Sequence, residues 1–273
     1  MTGSRIGALF FSVALSASIQ IIASSCGLIL SYIAAAHSLS TIFDSQVQRI
    51  DALLGFNWHT FVAFIDNFPT VCTILLFAYL SMFSQIFAII FICALKGDLK
   101  GLDRFIFTMM VSLLLTVLIS IFVPIVGPAS IQGHDFINTT VAGNVPAIPV
   151  YLELRSGSLR VVDFIAPSGV ICLPSFHTVV GVLATIVALR IRYAIFAFLP
   201  LNIALFISTF VHGGHYLTDD LVGIAVVTTV WWASRYLCSV ALTASGESAV
   251  QTEIGKFAGI GSNSIAFNSH VVQ

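Results

Sequence analysis

Charged residues are scarce in this sequence. Only 8% of its 273 residues are Asp, Glu, Lys or Arg, whereas 58% are hydrophobic and the mean hydropathy is +1.03. A soluble domain has about 25% charged residues, so the composition excludes one and indicates an integral membrane protein. The formal net charge is −1 and no basic patch is present, which argues against a nucleic acid as partner.

Cysteine motifs are also absent. The five cysteines are scattered, and no CxxC pair occurs among Cys26, Cys72, Cys93, Cys172 and Cys238. This spacing predicts neither a disulfide framework nor a cysteine-based metal site. No cofactor is expected from the sequence.

Long apolar runs dominate what is present. A helical span needs about 20 mostly apolar residues, and helices are expected because lipid cannot satisfy backbone polar groups. Six segments qualify, at residues 6–36, 69–95, 105–125, 174–189, 193–211 and 219–240. The predicted fold is all-α, an integral membrane bundle of six transmembrane helices. Lys and Arg lie mainly before the first span and in alternate loops, which places both termini in the cytoplasm.

Two further segments complete the predicted organisation. Residues 42–54 repeat apolar side chains at helical spacing between charged ones, which predicts an interfacial helix or one packed across the bundle. Trp58 would then lie at the level of the lipid headgroups. One membrane domain is predicted over residues 1–243. Residues 244–273, rich in Ser, Gly and Asn, are predicted to be a disordered cytoplasmic tail.

The stretch "HYLTD" contains a histidine and a carboxylate four residues apart, His215 and Asp219. On a helix they would share one face, and the carboxylate could fix one imidazole nitrogen and leave the other as a nucleophile. The alternative is a polar helix cap with His215 merely near the interface.

The stretch "PSFH" begins another apolar run. Pro174 suits a first helical turn, Ser175 offers a hydroxyl and an N–H there, and helix N-termini attract phosphate. His177 would stand within a turn of a bound anion and could donate a proton to a leaving oxygen. The alternative is again a capping turn. Because ionisable groups inside membranes are costly, both stretches together favour a functional site.

Together, "PSFH" and "HYLTD" resemble the P-S-G-H and S-R-x5-H-x3-D motifs of the type 2 phosphatidic acid phosphatase superfamily. The resemblance covers about residues 105–240 and extends to the six-span layout. It implies that His215 is the nucleophile forming a phosphohistidine, that Asp219 orients it, and that His177 protonates the leaving alcohol. Ser175 and nearby N–H groups would hold phosphate oxygens, and no metal would be needed.

The chain departs from the family's pattern at two points. Thr209 stands where the third motif has arginine, and the first motif, K-x6-R-P, is absent. "TFVHGGHYLTD" is more similar to the inositol phosphorylceramide synthase branch, so the phosphoryl group could pass to water or to an alcohol. Arg155 and Arg160 precede "PSFH" and could replace the missing clamp, or extend to lipid headgroups. His212 could touch phosphate or be a neutral loop histidine.

Three function classes therefore stand beside one another. The favoured one is a metal-independent lipid phosphatase, or a phosphotransferase, whose partners are a lipid phosphate and the bilayer. A ceramidase-like zinc hydrolase would use His177, His212, His215 and Asp219. A scaffold or transporter without activity is the third. The site is expected on the outer face, the periplasm if the source is bacterial. The substrate and the oligomeric state stay open.

Overall fold

The computed structural model describes residues 3–133, 135–139, 146–161 and 169–236. Regular structure in these ranges is helical and includes no strand, which confirms the all-α prediction. The chain divides into two units, Met1–Trp231 and Trp232–Gln273. The predicted tail at 244–273 lies outside the described residues. The helices are α1 (Gly3–His37), α2 (Asp44–Leu53), α3 (Trp58–Asp66), α4 (Pro69–Leu80), α5 (Met82–Lys96), α6 (Leu99–Phe122), α7 (Ala129–Gln132), α8 (Ala147–Ser156), α9 (Phe176–Ala188), α10 (Ala194–Ser208) and α11 (217–236).

The described helices support three or four membrane spans, so the predicted count of six is not confirmed. Leu9–His37, Leu99–Phe122 and Ala194–Gly213 are long and apolar enough to cross. A fourth is counted if α3 and α4, bent by 115°, form one broken span. α9 has 13 residues, which gives about 20 Å at 1.5 Å per residue, short of the roughly 30 Å hydrocarbon core. The predicted span at 69–95 is divided at Ser81, between α4 and α5.

The hydrophobic core of the first unit lies where α5, α6 and α9 meet. Its fully buried members include Ile89, Phe105, Met109, Val180 and Leu183. α1 packs along α6, and α10 packs against α9. Apolar packing of this kind fixes the depth and rotation of α9, whose first turn carries "PSFH".

The region of α2 and α3 buries a different face from the one its apolar pattern suggests. Ile50 and Leu53 are exposed, whereas the carboxylates of Asp44 and Asp51 are each only 2% exposed. α2 therefore turns Asp44, Val47 and Asp51 into the protein and leaves Ile50 and Leu53 outside. Trp58 is also not at a surface facing lipid. It is 1% exposed and donates from Nε1 to the carbonyl of Phe210 at 2.9 Å.

Candidate active site

The first half of the site is the beginning of α9. Ser175 is the N-cap, and its Oγ accepts from the backbone N–H of Thr178 at 3.5 Å. Its own N–H donates to the carbonyl of Asp219 at 3.1 Å, which joins "PSFH" to "HYLTD" directly. His177 lies in the first turn, where its ring stacks on Tyr79 with centroids 4.1 Å apart and planes 14° apart. The imidazole is thus held in one orientation by an aromatic neighbour.

The second half begins where α10 ends in a π-helical turn, Thr209–Gly213. The carbonyl of Thr209 accepts from the N–H groups of Gly214 and His215, and Gly214 adopts a left-handed φ of 63°. Such π turns widen a helix locally and recur at functional sites. Here the turn carries His215 out of α10 before α11 begins, so His215 and Asp219 do not share one continuous helix.

His215 and Asp219 nevertheless meet. His215 Nδ1 lies 3.4 Å from Asp219 Oδ2, and the backbone N–H of Tyr216 donates to the same oxygen at 2.8 Å. Both residues are buried, with Asp219 fully so. The carboxylate is therefore fixed at Nδ1, which leaves Nε2 on the other edge of the ring. Fixing one imidazole nitrogen in this way sets the tautomer.

The two halves lie side by side, because the ring centroids of His177 and His215 are 6.5 Å apart and the ring planes are inclined by 57°. Gly213 allows the chain to pass close to the rings of His215 and Tyr79. A Cβ there would lie 2.8 Å from His215 Cδ2 and 3.1 Å from Tyr79 Cε2. The arrangement places two imidazoles near each other, one of which is oriented by a carboxylate.

Asp219 also governs the electrostatics of the nucleophile candidate. Burial alone would lower the pKa of His215, but the hydrogen bond and negative charge of Asp219 outweigh it and raise that pKa above its usual value. The carboxylate thereby stabilises a positive charge on the ring.

The residues predicted to bind phosphate besides Ser175 either contact other parts of the chain or are exposed. The guanidinium of Arg155 donates to the hydroxyl of Ser38 and to the carbonyls of Leu39 and Ser40. Arg160 is exposed. His212 is buried and its Nε2 lies 2.9 Å from the carbonyl of Cys72, so it does not complete the zinc set expected with His177.

Thr209, which replaces the family's arginine, bonds to another carboxylate. Its hydroxyl donates to Asp220 Oδ2 at 2.5 Å, and that of Thr178 donates to Oδ1 at 2.6 Å. Asp220 is fully buried beneath the first turn of α9. The threonine therefore takes part in a network of hydroxyl donors around the Asp220 carboxyl group, in place of a guanidinium.

Several residues around the site escaped sequence reasoning. Cys172 donates from Sγ to Asp219 Oδ2 at 3.0 Å. Asp51 accepts from the N–H groups of Leu217 and Thr218 at 2.8 and 2.9 Å, at the start of α11. Asp44 accepts from Gly127 N at 2.8 Å and from the hydroxyl of Tyr216 at 3.2 Å. A signal for the two aspartates was available, because they lie seven residues apart on one helical face.

A cavity of about 500 Å³ opens beside His177. Side chains from α1, α4, α5 and α6 line it together with Phe176 and His177, and most of its wall is apolar. Cavities of this size hold small-molecule ligands or lipid chains. One of the paired imidazoles therefore faces an apolar chamber.

An apolar helical fold that pairs two histidines, one of them oriented by a carboxylate, indicates a membrane protein with a histidine-based site. The family model described as PAP2 superfamily matches residues 45–233, and the chain belongs to that superfamily. The matched region begins at the second residue of α2, so it is longer than the region 105–240 over which the motifs indicated a resemblance. No curated protein and no solved structure matches the chain. Membership indicates a phosphatase-type enzyme that acts on lipid phosphates in a bilayer.

Proposed function

We propose that this protein is a metal-independent lipid phosphatase that works through a phosphohistidine on His215. The observation that carries the proposal is the pairing of His177 with His215, whose ring centroids are 6.5 Å apart, while Asp219 holds Nδ1 of His215. Two imidazoles so placed can serve as nucleophile and as general acid for one phosphoryl group between them.

The proposed reaction has two steps. His215 Nε2 attacks phosphorus, the bond between phosphorus and the lipid oxygen breaks, and protonated His177 gives its proton to that oxygen. His177 then takes a proton from water as the water oxygen attacks phosphorus, and the bond to Nε2 breaks. Phosphate leaves, and both histidines return to their starting states. Asp219 stabilises the positive charge on His215 through Nδ1–H in both steps.

The cavity beside His177 supports a lipid as substrate. A hydrocarbon chain that occupies about 500 Å³ of apolar space would leave its phosphate at the imidazole that is proposed to protonate the leaving oxygen. Burial of each methylene contributes about 0.8 kcal/mol. The binding energy of the chain can therefore position the phosphate.

The phosphate itself is proposed to lie at the N-terminus of α9, beside Ser175, where backbone N–H groups attract anions. Arg160 stays in the proposal as an exposed cation ahead of this helix. Arg155 and His212 are weaker candidates, since their described contacts are with other parts of the chain.

A second candidate is transfer of the phosphoryl group to an alcohol, as in the inositol phosphorylceramide synthase-like branch. Thr209 and its bond to Asp220 favour it, because a site without the family's arginine at this position is less suited to a doubly charged phosphomonoester. A phosphodiester carries a single negative charge and needs less neutralisation. The first step would be the same, with an alcohol replacing water in the second.

The test is release of phosphate from a panel of lipid phosphates by purified protein in detergent with EDTA, beside His215→Ala. EDTA-resistant release that is lost in the variant is expected. Activity abolished by EDTA would contradict the proposal and favour the metal-dependent hydrolase. No release, but transfer when alcohols are added, would favour the second candidate. The absence of both hydrolysis and transfer would contradict the proposal and favour a scaffold or transporter without activity.

We also infer that the site faces outward, to the periplasm in a bacterial inner membrane, since both motifs begin on the face opposite the Lys- and Arg-bearing loops. Sealed right-side-out vesicles should then hydrolyse a water-soluble, short-chain lipid phosphate without detergent. Hydrolysis that needs inverted or opened vesicles would place the site on the other side.

A further inference from the structure

Three buried side chains at the site form a cluster that the proposed reaction does not need as a set. Cys172 Sγ lies 3.6 Å from His215 Nδ1 and 3.0 Å from Asp219 Oδ2, and the third edge, from Nδ1 to Oδ2, is 3.4 Å. All three residues are buried, and each offers one possible metal-ligand atom within 4.8 Å of the other two.

The triangle has nearly the dimensions of one face of a tetrahedral zinc site. Zinc bonds of about 2.3 Å to sulfur, and about 2.0–2.2 Å to nitrogen and oxygen, place such ligand atoms about 3.3–3.6 Å apart. Two of the three edges already match, and the edge between sulfur and oxygen needs to open by about 0.5 Å. Thiolate, imidazole and carboxylate are all ligands that zinc accepts.

The carboxylate has unused capacity for such an ion. Asp219 Oδ1 is buried and lacks a hydrogen-bond partner, although Oδ2 receives Cys172, Tyr216 and His215. A buried carboxylate oxygen without a donor is costly. A cation bound next to it would offset that cost.

We propose that Cys172, His215 and Asp219 bind one Zn²⁺, and that the bound ion inhibits the enzyme. Binding releases the thiol proton of Cys172 and moves the Nδ1 proton of His215 to Nε2, and a water completes the fourth position. With Nδ1 bound to zinc and Nε2 protonated, His215 has no free nitrogen lone pair with which to attack phosphorus. The nucleophile is thereby disabled. The inhibition rests on the proposed function, whereas the binding does not.

The binding test uses purified, EDTA-stripped protein in detergent, titrated with Zn²⁺ against a chromogenic chelator. One Zn²⁺ per chain is expected, and Cys172→Ser should weaken binding at least about tenfold. Cys93→Ser is the matched control, because Cys93 is a buried cysteine in the core of α5. Equal affinity in wild type and Cys172→Ser would overturn the site.

A second binding readout needs no variant. Co²⁺ bound to the wild-type chain should give the charge-transfer absorption of a cysteine thiolate, and Zn²⁺ should displace it. Co²⁺ binding without that band would exclude Cys172 as a ligand and overturn the proposal, even if the serine variant failed to fold.

The activity test compares each variant with its own EDTA-treated rate. Phosphate release by the wild type should fall as the site fills and return with EDTA, and Cys172→Ser should need at least about tenfold more Zn²⁺. Stoichiometric binding in a protein with no phosphate release would keep the metal site and refute the phosphatase. EDTA-resistant release of phosphate by a protein that does not bind Zn²⁺ would support the phosphatase and refute the metal site. Activation by Zn²⁺ would overturn inhibition.

Discussion

The residue that organises the site is Asp219. Its Oδ2 receives the N–H of Tyr216 and the thiol of Cys172 and lies beside His215 Nδ1, while its backbone carbonyl accepts from Ser175. One residue therefore links the proposed nucleophile His215, Cys172 and the cap of α9. Because burial removes competing water, these contacts are stronger than they would be at a surface.

Asp219→Asn should keep the side chain's shape but remove the charge that stabilises imidazolium at His215. We expect kcat/KM for phosphate release to fall about 10²–10⁴-fold, the usual range for losing support of an acid–base group. Asp103→Asn, an exposed carboxylate on α6, serves as the control. A variant within about twofold of wild type would show that Asp219 does not act on the nucleophile.

At the scale of elements, α2 holds the segment that carries His215, the proposed nucleophile. Asp44 bonds to Tyr216 and to the loop after α6, and Asp51 bonds to the first residues of α11. Anionic side chains at a helix N-terminus satisfy its unpaired N–H groups. A short helix outside the predicted spans thus sets the position of His215 through two carboxylates.

Asp51→Asn replaces one accepting oxygen with a donor, next to the N–H groups of Leu217 and Thr218. We expect the free energy of unfolding in detergent to fall by about 1–3 kcal/mol, because a buried N–H group loses its acceptor. Arg49→Gln, on the exposed side of α2, is the matched control and should be neutral. Equal losses in the two variants would contradict the role given to Asp51.

The loss should also depend on pH. Burial raises the pKa of Asp51 above its usual value, although the hydroxyl and N–H of Thr218 and the N–H of Leu217 oppose the shift. A raised carboxyl pKa means that stability is greatest at low pH and declines as pH rises through the folded-state value. The difference between wild type and Asp51→Asn should therefore be largest near the ordinary aspartate pKa and shrink toward neutral pH.

Across the first unit, the site lies where the "PSFH" turn, the "HYLTD" segment and an apolar chamber meet. Close packing brings these parts together: a Cβ at Gly223 of α11 would lie 2.8 Å from the carbonyl of Ser175. The chamber walls come from α1, α4, α5 and α6, which are distant from the motifs in sequence. We therefore expect substrate choice to depend on several helices of the bundle.

Ser24→Phe should fill part of the chamber from α1. If it excludes two or three methylenes of a lipid chain, kcat/KM for long-chain substrates should fall about tenfold to fiftyfold, at about 0.8 kcal/mol per methylene. Short-chain substrates should lose little. Ile22→Phe, on the exposed side of the same helix, is the control. A uniform loss across chain lengths would show that the chamber does not hold the chain.

The sequence by itself determined the class of molecule and the candidate residues of its site. Apolar runs require helices in lipid, and the scarcity of charge made "PSFH" and "HYLTD" stand out, so His177, His215 and Asp219 were predictable as candidates. The tertiary structure decided what depends on contacts between distant segments. These are the burial of Asp44 and Asp51 on α2 and the hydrogen bond from Cys172 to Asp219. They also include the contacts of Arg155 with Leu39 and of His212 with Cys72. Periodicity reports which residues share a face, but the partner of that face is set by packing of the whole chain.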